Sequence, residues 1–130
     1  MKVRDVLKML DKDGWAIVAT RGSHRQLKHP TKAGRVTVAG HPSDESRSRD
    51  VEQHSEAGGS EMKYFVIYEK TGTGFSAYAP DLPGCVATGS TLEDTKAKMH
   101  EAIEFHLDGM CEDGTPIPLP ATVAAEEMAV

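Results

Sequence analysis

At 130 residues the chain is long enough for one ordinary domain or two very small ones, and small domains bury too little surface to be robust alone. No apolar run approaches the roughly 20 residues that a membrane helix needs, and the amino terminus opens on an amphipathic charged stretch instead of a signal peptide, so the chain reads as soluble and cytoplasmic. The net charge of −5 conceals a division: residues 1–49 hold eleven Lys/Arg against five Asp/Glu, and residues 50–130 hold four against fifteen. That asymmetry points to a polyanion as partner of the basic part, and it equips the acidic part to compete for the same surface.

The first predicted element is a helix, because Val3, Val6, Leu7 and Leu10 recur at helical spacing and Gly14 follows as a stop. Residues 15–20 are apolar and often β-branched, residues 23–29 alternate, and residues 35–39 alternate again. Gly22 and the stretch 30–34 supply the turns, giving a helix followed by a three-stranded antiparallel meander. After Pro42 the periodicity stops. Residues 43–61 carry the Ser, Gly and charge of a flexible linker.

Periodicity resumes at Tyr64, with strands expected in YFVIYEK, GFSAYAPD and CVATG. Ser90 then opens a helix, with Glu93 three residues on completing a capping box. Leu92, Met99, Ile103, Leu107 and Met110 share one face, and Gly114 with Pro116 ends the helix. In the tail, ATVAA is compatible with a short added strand. Cys85 and Cys111 lie too far apart in sequence for metal-ligand spacing and are read as packing residues. The expected fold class is therefore α+β, an αβββ half followed by a linker and a βββα(β) half.

The richest chemistry lies in Arg21-Gly22-Ser23-His24-Arg25. Alternation places His24, Gln26 and Lys28 on one face of a strand and Arg25, Leu27 and His29 on the other. With Leu27 toward the helix, His24 faces outward among cations. An imidazole there suits proton abstraction from a ribose 2′-hydroxyl, and the cations stabilise charge on phosphate oxygens. Gly22 would let the backbone approach a ligand closely, and Ser23 offers a short hydrogen bond. A lone histidine in a basic strand is more often a plain surface residue. His29, His41 and His54 do not form a regular zinc-ligand spacing with His24. Asp81, Glu93 and Asp94 could be offered as a metal-binding set, but Glu93 and Asp94 sit where acids stabilise a helix start. No metal and no cofactor is expected.

These residues carry two resemblances. The run DGW…ATRGSHRQ.KHP…GRVTV.GHP within residues 1–42 resembles the HicA toxin family, small RNA-cleaving toxins of double-stranded-RNA-binding-like fold, although the family's second helix is missing here. The resemblance implies a metal-independent endoribonuclease acting on mRNA, with His24 as catalytic residue and Arg21, Gly22, Ser23, Arg25 and Lys28 around the RNA. From residue 62 to about 120, MKYFVIYEKTGTGFSAYAPDLPGCVATGSTLEDT resembles the amino-terminal domain of the HicB antitoxin family, similar in fold to part of an RNase H sheet. Met62 looks like a former start residue.

The organisation expected is thus a truncated toxin module at 1–42, a linker at 43–61 and an antitoxin module at 62–130. Lacking the second helix, the first module is expected to leave Val36 and Val38 partly uncovered. HicB-like proteins continue into a DNA-binding segment that this chain lacks after PIPLP, so operator DNA is not an expected partner. A flexible linker of about 19 residues spans about 24 Å, enough to hold the halves together at millimolar effective concentration. The acidic module is expected to occlude His24, either within the chain or between two chains as a homodimer by exchange. The alternative is a non-catalytic antitoxin or decoy that captures a separate HicA-like toxin.

Overall fold

A computed structural model describes residues 2–44 and 63–130. Helix α1 (Val3–Lys12) leads into strands β1 (Ala16–Arg21), β2 (His24–Lys28) and β3 (Arg35–Ala39). Strands β4 (Ile67–Lys70), β5 (Phe75–Tyr78) and β6 (Cys85–Gly89) follow, and helix α2 (Leu92–Asp113) completes the regular structure. Most of the expected linker, and Met62 with it, lies outside the described residues.

The two sheets expected from the sequence are one. The strand order is β1-β2-β3-β6-β5-β4, antiparallel within each half and parallel where β3 meets β6. Thr37, Val38 and Ala39 lie opposite Cys85, Val86 and Ala87, and Thr37 donates its backbone N–H to the Gly84 carbonyl at 2.6 Å. The physical reason lies in the strands themselves. Every residue of β3 and of β6 is buried, and a strand covered on both faces belongs inside a sheet, since at an edge its backbone groups would be left unpaired.

The two helices cover opposite faces. Val3, Val6 and Leu10 of α1 pack with Trp15, Leu27, Val36, Val38 and Val86. Met99, Ala102 and Met110 of α2 pack with Ala39, Ala77, Cys85 and Ala87 on the other side. Each core therefore draws residues from both halves of the sequence. Val36 and Val38, expected to be partly uncovered, are closed off by α1 and Val86.

The GHPSD turn fastens α1. Its first N–H groups, which have no partner inside the helix, donate to the carbonyls of Asp44 (from Val3, 2.7 Å) and Pro42 (from Arg4, 3.0 Å). The Asp44 carboxylate in turn accepts from the Thr88 hydroxyl of β6 at 2.9 Å. Gly40 allows this junction: its φ is +132°, and a Cβ there would collide with Thr88. Ser43 and Asp44, expected in the linker, are thus part of the folded body.

Helix α2 begins one residue later than the sequence suggested. Thr91, not Ser90, is the cap, and its hydroxyl accepts from the Asp94 N–H at 3.1 Å. Gly114, with φ +68°, ends the helix as expected. At 22 residues α2 extends about 33 Å, enough to cross the whole sheet. No strand forms in residues 115–130. Cys85 is buried, whereas Cys111, also read as a packing residue, is exposed because it lies on the outer side of α2. No helix among the described residues is long and apolar enough to cross a membrane.

Candidate functional site

His24 opens β2, directly after the turn made by Gly22 and Ser23. Gly22 has φ +59° and open space around it, so its part is the tight turn and not a close approach to another group. The imidazole stands on the face away from α1, as alternation requires, but it is not open to solvent: His24 is 5% exposed because α2 lies across it. Its Nδ1 faces the Arg21 carbonyl at 3.2 Å and its Nε2 faces the Lys98 carbonyl of α2 at 3.1 Å. The Glu101 carboxylate stands 3.7 Å from the same Nε2. Both ring nitrogens are therefore occupied by oxygens of this chain.

The rest of that sheet face is taken up by α2 in the same manner. The Gln26 amide donates to the Phe105 carbonyl at 2.6 Å, and its oxygen accepts from Arg35 at 2.7 Å. The Arg35 guanidinium meets Asp113 through two bonds of 2.6 and 3.0 Å, and Lys28 reaches the same carboxylate at 2.9 Å. Hydrogen bonding to Arg35, then to Lys28, holds Asp113 down to about 2. Arg21 lies over the Phe105 ring, 4.4 Å from its centre.

His106 contributes the least expected contact. Its Nδ1 pairs with the Thr37 hydroxyl at 2.6 Å, while its Nε2 is buried without a hydrogen-bond partner among the described residues. Burial, with the Arg35 charge adding to it, pushes this imidazole down to about 4, so it sits in the interface as the neutral ring. One turn further on, Gly109 permits a close approach of α2: a Cβ there would lie 2.8 Å from Arg35 Cδ and 2.9 Å from Gln26 Oε1.

Of the residues singled out from sequence, Arg21, Gly22, Ser23 and His24 line one open cleft of about 640 Å³, whose other wall is Asp94, Lys98, Glu101 and Glu104 of α2. Lys28 shares their face at its far end. Arg25 does not: it points to the α1 side and donates to the Gly40 carbonyl at 3.2 Å. His29 accepts from the Thr31 and Lys32 N–H groups of its own turn and faces the Asp13 carbonyl, His41 pairs with Ser43, and His54 lies outside the described residues. Among the described residues no group of three or more His, Cys, Asp or Glu gathers as a metal site; Asp81 accepts from the Thr122 N–H instead.

Sequence reasoning missed Arg35, Thr37, Phe105, His106, Gly109 and Asp113. The signal was present as a second stripe on the last helix, Glu101, Phe105, Gly109 and Asp113 at intervals of four, beside the apolar stripe that drew attention.

A basic, histidine-bearing sheet face closed by an acidic helix of the same chain fits a toxin–antitoxin system protein, and comparison with known families agrees. The model for the HicA toxin of bacterial toxin-antitoxin matches residues 3–51, and the model for the HicB_like antitoxin of bacterial toxin-antitoxin system matches residues 64–129. The second match covers half of the chain, which belongs to the HicB-like antitoxin family and carries a HicA toxin segment fused ahead of it.

Among curated relatives, an uncharacterized 14.9 kDa protein of Haemophilus phage HP1 is 40% identical over 57 residues, 44% of this chain and 43% of the relative. Antitoxin HicB 2 of Photorhabdus laumondii is 34% identical over 61 residues, 47% of this chain and 44% of the relative. A UPF0150 protein of Synechocystis is 34% identical over 56 residues, 42% of this chain and 71% of the relative. The chain thus spans less than half the length of the first two relatives. No solved structure matches it.

Proposed function

We propose that this chain is a latent endoribonuclease of the HicA type kept silent by its own HicB-like helix. The observation that carries the proposal is the occupation of both His24 ring nitrogens, one of them by the Lys98 carbonyl of α2. In an opened molecule the neutral imidazole would take the proton of a ribose 2′-hydroxyl as the 2′-oxygen attacks the adjacent phosphorus. The bond to the 5′-oxygen breaks, that oxygen takes a proton from water, the resulting hydroxide takes the proton held on the imidazolium, and a 2′,3′-cyclic phosphate remains. Arg21, Arg35 and Lys28 would face the phosphates. The step requires no metal ion. Within this reading the αβββ half is double-stranded-RNA-binding-like, the βββα half is a partial RNase H-like fold, and the protein acts on mRNA in the cytoplasm.

Closed, the molecule does none of this. Asp113 satisfies Arg35 and Lys28, Phe105 engages Arg21, and Glu101 stands beside the imidazole where a phosphate would approach. The charge division seen in the sequence is spent on this face.

A second reading is favoured by the shared sheet. Lifting α2 would uncover Met99, Ala102 and Met110 together with Ala39, Cys85 and Ala87, a cost of several kcal/mol at about 25 cal/mol per Å² of apolar surface. On that reading the first half no longer cuts RNA, and the antitoxin half captures a separate HicA-like toxin. The full chain carrying Gly109→Val separates the two, because the added side chain collides with Arg35 and Gln26, the two residues whose side chains tie α2 to the sheet. The nuclease reading expects RNA cleavage by this variant, above the level of the unmodified chain and abolished by adding His24→Ala. A folded Gly109→Val variant with an accessible His24 and no cleavage leaves the non-catalytic reading.

A further inference from the structure

A second groove lies on the far side of α2 from His24. Its floor is apolar, made by Tyr64 and Val66 in the segment leading into β4, by Tyr68 of β4 and by Met99, Ile103 and Leu107 of α2, and it encloses about 470 Å³. Its rim carries Lys63, Lys96 and His100 against one acid, Glu104. β4 is the last strand of the sheet, so its outer backbone groups have no strand beside them among the described residues. Such an edge is a template for an added extended segment.

The chain itself supplies a segment of matching chemistry. Beyond Thr122, whose N–H is held by Asp81, residues 123–130 run without regular structure. Met128 is 74% exposed and Val130 fully exposed, and the acids Glu126 and Glu127 directly precede them. The Tyr64 hydroxyl donates to the Pro118 carbonyl, so this segment leaves the body at one end of the groove. Eight residues extended cover about 26 Å, enough to pass along β4 and the segment from Tyr64 that leads into it.

We propose that residues 123–130 of a second copy of this chain lie in this groove, in a reciprocal exchange that gives a closed dimer. Met128 and Val130, which share one face of an extended segment, enter between β4 and α2, and Glu126 on the same face meets Lys96 at the rim. Because the exchange is isologous it closes at two chains, with each β4 edge covered. It uses none of the groups at His24, and so holds whether or not that site cleaves RNA.

Light scattering of the full chain from low to high micromolar concentration tests the exchange. A monomer–dimer equilibrium is expected, weakened by about tenfold or more in Met128→Asp, where one buried side chain is lost. Lys96→Glu should weaken it several-fold, and Glu126→Lys added to Lys96→Glu should restore it. These positions are exposed, at 74% for Met128 and 50% for the Lys96 side chain, so the variants leave the fold intact. A monomer at every concentration, a dimer indifferent to Met128→Asp, or assemblies growing beyond two chains would each overturn the proposal.

Discussion

Asp113, in the last turn of α2, holds Arg35 of β3 by two hydrogen bonds, Nε to Oδ2 at 2.6 Å and Nη2 to Oδ1 at 3.0 Å. The pair joins the carboxyl end of the antitoxin helix to the toxin sheet across 78 residues of sequence. It is well shielded, with side chains 8% and 16% exposed, and Lys28 binds the same carboxylate. A planar fork on a carboxylate fixes direction as well as charge. Asp113 thereby sets where α2 lies over β2 and β3, and hence over His24.

Replacing Asp113 by Asn removes that anchor while keeping its shape. Arg35 then keeps only the more distant and exposed Glu112 carboxylate at 3.9 Å, Lys28 loses the carboxylate it reaches, and a loss of about 2–3 kcal/mol is expected. The midpoint of urea unfolding reads this directly. An unchanged midpoint would mean that the pair does not hold α2.

Stability should fall in acid in two stages. His106 takes a proton at about 4 in the folded chain against 6.5 when unfolded, so between those values the unfolded chain binds more protons and stability drops as pH falls. The full difference is worth about 3 kcal/mol. Asp113 adds the second stage: its carboxylate stays charged down to about 2 against 3.8, so the stability it gives above 3.8 is lost between there and 2. Urea midpoints measured from neutral pH downward should decline below 6.5, and His106→Leu should flatten that first decline. A wild-type midpoint level between 6.5 and 4 would contradict the burial of a neutral His106.

The cysteines report on the same helix. Cys111 is exposed, whereas Cys85 lies under α2 with its thiol pushed up by burial. A thiol reagent should label one site per native chain and a second only on unfolding or on release of α2. Gly109→Val should bring Cys85 labelling forward. Two fast labels in the native chain would place β6 outside the core.

Much of the fold is legible in the sequence because periodicity records burial. The stripe Val3, Val6 and Leu10, the alternation through β2, and the Gly114 stop all read correctly for that reason. The continuous sheet was not legible. Burial of every residue in RVTVA and CVATG was the available clue, yet Arg35 and Thr37 are polar and read as solvent-facing until Asp113 and His106 are seen to meet them. At the site, local alternation gave the direction of His24, but its cover comes from residues more than 70 positions away. Contacts at that distance leave no periodic signature. Complementary charge in the two halves was the one trace they left.

The account turns on the closure of His24 by α2, and acylation of histidines in the native full chain, followed by peptide mapping, measures it most directly. With the chain dilute enough to be monomeric, His100, on the outer side of α2 with its side chain 78% exposed, is the internal standard. His24 and His106 should resist the reagent while His100 reacts, and Gly109→Val should bring His24 up toward the His100 rate. Modification of His24 as fast as His100 in the unaltered chain would contradict the closure and with it the proposed self-inhibition.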